Sequence, residues 1–131
     1  MKKDINIPKV KDVYLAALQE NIPDTDLREW NIYIINDKNT ELELVIIISH
    51  GFSESKKTST LRKTINHLPK KSFAKVETIQ DNLFQFTNQF IVSFFEDNQL
   101  YDKTFTFKPN SINDKNLASI PLFQHKGILA E

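Results

Sequence analysis

Cysteine is absent from all 131 residues, which removes disulfides, thiolate metal sites and thiol nucleophiles together and fits a reducing compartment. Glycine is almost as scarce. Gly51 and Gly127 stand alone, so no glycine-rich loop is present to cradle a phosphate. No apolar stretch approaches the roughly 18–20 residues that a membrane-spanning helix needs. The first residues, Met1 to Pro8, carry charge with no apolar segment behind it, so no signal peptide is expected. These absences point to a soluble, cytoplasmic protein with no membrane partner. Net charge is lacking too, since 17 Lys and Arg balance 17 Asp and Glu. The balance conceals a division: Asp12 to Glu43 holds eight acidic and two basic residues, whereas Glu54 to Lys75 holds seven basic and one acidic.

What is plentiful is core-forming material, 40% hydrophobic with ten Phe, in a length suited to one domain covering residues 1–131. The apolar run Leu42–Ile48 is rich in β-branched residues and bounded by turn residues. It reads as a strand covered on both faces, with Leu44, Ile46 and Ile48 on one side and Val45 and Ile47 on the other. Trp30 to Ile35 reads as its antiparallel hairpin partner across Asn36-Asp37-Lys38-Asn39. A second hairpin joins Phe90–Phe95 to Leu100–Phe107 across Glu96-Asp97-Asn98-Gln99.

Around these hairpins, a strand is assigned at Val13-Tyr14-Leu15 and an acidic loop at Asp24–Glu29. Thr58–Leu68 allows two readings. Leu61, Ile65 and Leu68 have helical spacing, but Thr58, Thr60, Thr64 and Ile65 are β-branched, and strand is preferred. Phe73–Ile79 reads as the next strand. Leu83–Phe95 reads as two edge-like pieces broken at Thr87-Asn88-Gln89. A short helix is expected from Asn113 to Ile120, capped by Asn113 and stopped by Pro121. The apolar tail Leu122–Leu129 is expected to dock. The fold expected is therefore mainly β: an antiparallel, immunoglobulin-like β-sandwich of about seven or eight strands with a short C-terminal helix, or else a partly closed barrel.

No catalytic, cofactor-binding or metal-binding residue is identified. His50, His67 and His125 are far apart and lack zinc-ligand spacing. No Gly-x-Ser-x-Gly elbow supports a Ser-His-Asp triad, and Asp97 and Asp102 fit turn chemistry. The Phe residues alternate with Gln, Ser and Thr, which places their rings in one core instead of on a base-stacking surface. One candidate binding surface stands out: Lys56, Lys57, Arg62, Lys63, Lys70, Lys71 and Lys75, with Ser and Thr hydroxyls among them. Such a surface suits an acidic protein partner. It also has the chemistry for phosphates, so a nucleic-acid or ribosome-associated role is the alternative. Lysines that shield a solvated strand edge from aggregation would look the same.

Several pieces read in order carry a family resemblance: Val13-Tyr14-Leu15-Ala16, Ile34-Ile35-Asn36-Asp37, Leu68-Pro69, Phe95-Glu96-Asp97-Asn98 and Phe107-Lys108-Pro109. Together they resemble the β-rich domain that precedes the small MutS-related (Smr) nuclease domain in some bacterial proteins. That resemblance implies a β-sandwich accessory domain and transfers no catalytic residue. The whole chain also resembles small stand-alone bacterial proteins labelled phenylalanyl-tRNA synthetase alpha subunit. Class II synthetases use arginine motifs to hold ATP; this chain has only Arg28 and Arg62, neither in such a context. The expected function is a non-catalytic binding or accessory module for a protein partner, with no synthetase or nuclease activity.

Overall fold

The computed structural model describes residues 8–131; the expectation of no signal peptide concerns mostly residues outside that range. Nine strands form in the described residues: β1 (Val13–Asn21), β2 (Arg28–Asn36), β3 (Leu42–Phe52), β4 (Leu61–Leu68), β5 (Ser72–Ile79), β6 (Thr87–Glu96), β7 (Gln99–Phe107), β8 (Ala118–Ser119) and β9 (Lys126–Leu129). They make two antiparallel sheets, ordered β5-β2-β1-β9-β8 and β4-β3-β6-β7. One buried cluster draws on both. Val13, Leu15, Ala17, Trp30, Ile32 and Ile34 come from the first sheet; Val45, Ile47, Phe90, Val92, Phe94, Phe105 and Phe107 come from the second. Their period of two identifies the inward face of each strand.

Two assignments from the sequence are corrected here. β2 and β3 are not a hairpin: β2 pairs with β1 and β5, whereas β3 pairs with β4 and β6. The segment between them crosses from one sheet to the other. Asn36, fully buried, holds that crossing in place. Its amide nitrogen lies 2.9 Å from Thr40 O, 3.1 Å from Leu68 O and 3.0 Å from Pro69 O, and its Oδ1 accepts from the Lys38 N–H. Nor is β3 covered on both faces. Val45 and Ile47 are buried, but Ile46 and Ile48 are half-buried and Leu44 is 44% exposed. Leu44 has φ 48° at a register shift between Glu43 and Ile46, a β-bulge that breaks the alternation.

The second hairpin forms as read. β6 and β7 pair from Glu96↔Gln99 onward, and Asp97 and Asn98 have φ 50° and 64°. Two left-handed residues match the type I′ turn that suits strand twist, and Asp and Asn accept that backbone more readily than most residues. Thr87-Asn88-Gln89, however, does not break the chain. These residues open β6, an inner strand between β3 and β7. The strand reading of Thr58–Leu68 holds for Leu61–Leu68, and the acidic loop holds for the turn before Arg28.

Towards the C-terminus the expected helix shrinks to one 3-10 turn, Asp114–Asn116. The Asn113 side chain does cap it, accepting from Lys115 N at 2.8 Å, but Leu117 is already extended and β8 follows. Sheet pairing of Ala118 and Ser119 with β9 overrides the weak local preference for a helix. The tail docks as expected: β9 pairs with β1, and Ile128 enters the shared core. Beyond it, Ala130 N donates to Leu15 O, and Glu131 exchanges two hydrogen bonds of 2.9 Å with Thr106 of β7. The last residues thus bridge the two sheets along one side.

Candidate functional site

Edge strands carry unpaired backbone donors and acceptors, and proteins usually protect them. Four strands lie at sheet edges here: β5, β8, β4 and β7. β8 is only two residues long, β5 carries a bulge, and β7 is met at Thr106 by Glu131. β4 has eight residues and pairs only with β3. Its residues Leu61 to Thr64 are exposed on both faces. Its remaining protection is charge.

That charge comes from part of the basic set. Arg62 and Lys63 lie on β4, Lys56 and Lys57 lie in the loop entering it, and Lys70 follows it; all five are exposed. Among the described residues, none of these five has a carboxylate within ion-pair distance. Lys71 and Lys75 differ: Lys71 pairs with Asp37 at 3.0 Å, and Lys75 of β5 lies 3.8 Å from Glu29 of the neighbouring strand β2, in the sheet that does not contain β4. The fold does not gather all seven residues. Lys56 and Lys57 sit near one end of β4 and Lys70 near the other, separated by about 25 Å of extended chain. Arg62 and Lys63 also face opposite sides. Arg62 is in register with outward Ile48, and Lys63 with inward Ile47. The result is a basic rail along one free edge.

Beneath the rail lies a feature that the sequence reading missed. β2 pairs with β5 through Ile32↔Glu77 and Tyr33↔Lys75, so Val76 is the extra residue of a bulge. The bulge turns Glu77 inward, in register with core residue Ile32, instead of outward with Lys75. There Ser49 Oγ of β3 donates to Glu77 Oε1 at 2.6 Å, tying the two sheets together. A cavity of about 180 Å³ adjoins the pair, lined by Thr58, Ser59, Leu61, Asn88 and Phe90 among others. Burial pushes the Glu77 carboxyl above its ordinary range, and the Ser49 hydrogen bond opposes that shift. Plain strand alternation would have placed Glu77 with Phe73 and Lys75 on the outside, and nothing local in the sequence signals the bulge.

His50 also contributes to the lining of that cavity and stacks on Phe52, with ring centroids 5.5 Å apart. His67 contacts Glu41 at the surface. Asp97 belongs to the β6–β7 turn, while Asp102 lies on β7. Among the described residues no three His, Asp or Glu side chains converge as metal ligands. Of the Phe rings, Phe90, Phe94, Phe105 and Phe107 are buried as expected, whereas Phe95 is 36% exposed. No described helix is long and apolar enough to cross a membrane. Compared with family models, curated proteins and solved structures, the chain matches none.

Proposed function

We propose that this chain is a non-catalytic, cytoplasmic binding module: an immunoglobulin-like β-sandwich whose free β4 edge receives an extended acidic segment of a partner protein as an added strand. The observation that carries this reading is β4 itself, eight residues long, unpaired on one side and bearing Arg62 and Lys63 without carboxylate partners. Backbone pairing would supply affinity, and the flanking lysines would select acidic side chains. Strand order supports the immunoglobulin-like part. β5-β2-β1-β9-β8 opposite β4-β3-β6-β7 differs from the constant-type order in two respects: the fourth strand joins the third instead of the fifth, and β9 and β8 extend the first sheet beyond β1. The resemblance to the domain preceding Smr nucleases agrees with an accessory role.

The test uses an extended peptide of about ten residues alternating Glu and Val, titrated by calorimetry, beside a copy N-methylated at every second residue. Saturable binding is expected, lost on N-methylation and weakened at least about tenfold by Lys57→Glu, Lys63→Glu and Lys70→Glu together. No binding at low salt, or equal binding of the N-methylated peptide, overturns strand addition. Binding of oligouridylate in place of peptide, with a steep salt dependence, would transfer the same lysines to nucleic acid.

A further inference from the structure

The outer face of the β4-β3-β6-β7 sheet carries a cross-strand apolar patch that no described segment covers. In register, one row across the sheet reads Arg62, Ile48, Ile91, Thr104, and the next reads Thr64, Ile46, Ser93, Asp102. Phe95 and Leu100 pair in a further row and are 36% and 49% exposed. Isoleucines and a phenylalanine held side by side on an open sheet are a recognised mark of an interaction site. The charges are placed at opposite margins. Arg62 stands at the β4 edge and Asp102 at the β7 edge, one row apart.

We infer that this face pairs with the same face of a second copy of the chain, about a two-fold axis running parallel to the strands between β3 and β6. That axis sets β4 of each copy over β7 of the other. Ile48 then lies over the second copy's Ile91, and Arg62 comes within side-chain reach of the second copy's Asp102 at both margins. A two-fold axis lying across the strands would instead set β4 over β4 and β7 over β7, leaving Arg62 and Asp102 at opposite margins, so the charges select the first. This is the self-complementarity that an isologous contact requires. Four strands about 4.8 Å apart and some 30 Å long offer roughly 600 Å² per copy, near the low end for a specific interface. The dimer is therefore weak, and its contact leaves the β4 edge free.

Sedimentation velocity on the chain from about 5 to 500 µM should show the 15.3 kDa monomer giving way reversibly to a dimer. Arg62→Asp alone and Asp102→Arg alone should each weaken association at least about tenfold, and the two together should restore it to within about threefold. Ile91→Lys should abolish it, with circular dichroism confirming that each variant is folded. A wild-type chain monomeric at the highest concentration overturns the inference and gives the face to a different protein. A double variant as weak as the single ones overturns the proposed axis.

Discussion

The two outer faces of this molecule begin from similar apolar material and end differently. On the first sheet, Ala16, Leu18 and Ile35 point away from the shared core yet are buried, because Ile120, Phe123, Tyr14 and Tyr33 close over them. Phe73 and Phe123 pack with ring centroids 4.1 Å apart, and Phe123 and Tyr33 5.2 Å apart. Tyr33 also donates to Glu20 at 2.7 Å; burial first, then that bond, pushes its hydroxyl up to about 12. On the second sheet, Ile46, Ile48 and Ile91 point outward with no such cover. Hydrophobic strand composition therefore does not decide whether a face is buried. What decides is whether another segment reaches it, and here the segment after β7 returns to the first sheet.

The sharpest way to break this comparison is to truncate one isoleucine on each face. Ile35→Ala should cost about 2–5 kcal/mol, because a fully buried side chain leaves a cavity. Ile91→Ala, measured in dilute protein, should change stability by no more than about 0.5–1 kcal/mol. Equal costs in chemical denaturation would erase the distinction. Removing the cover offers a second test. A Cβ on Gly127 would lie 2.6 Å from Ala17 O and 3.2 Å from Ile120 Cγ1, so Gly127→Ala must push β9 off β1. A loss of about 1–3 kcal/mol is expected, with the largest rise in hydrogen exchange in β1 and β9. Unchanged exchange there would show that β9 does not anchor the cover.

How much of this was legible depends on the range of the interaction concerned. The β6–β7 hairpin was readable because Asp97 and Asn98 form a local turn between strands that pair with each other. The segment Asn36–Asn39 looked similar and misled, because its decisive contacts are Asn36 to Leu68 and Pro69, over thirty residues away. Asn36→Ala should accordingly cost about 1–3 kcal/mol for the buried carbonyl groups left unpaired, checked by denaturant midpoints. Asn36→Asp should cost more, since it turns a carboxylate towards those carbonyls. The lysines of the β4 edge could be read as a group, but their separation into a rail, with Lys71 and Lys75 drawn into ion pairs, could not. Glu77 was invisible for the same reason as Leu44: a bulge inserts one residue and reverses every inside–outside assignment beyond it.

The smallest expected effect concerns the tie between the sheets. Because the folded-state Glu77 value is raised, its contribution to stability is fully present below the ordinary glutamate range and is lost as pH rises through the folded value. Glu77→Gln keeps an acceptor for Ser49 and removes the charge. It should be more stable than wild type at neutral pH and lack that part of the pH dependence, as read from melting temperatures across the acidic range. Identical pH profiles would place Glu77 in a solvated setting.

The most direct measurement is the reach of a soluble paramagnetic probe to the isoleucine methyl groups in dilute protein. Ile46, Ile48 and Ile91 should be strongly broadened, while Ile35, Ile120 and Ile128 remain protected. Protection of Ile91 to the level of Ile35 in the monomer, or broadening of Ile35 to the level of Ile91, would contradict the account of one face closed by its own chain and one left open for a partner.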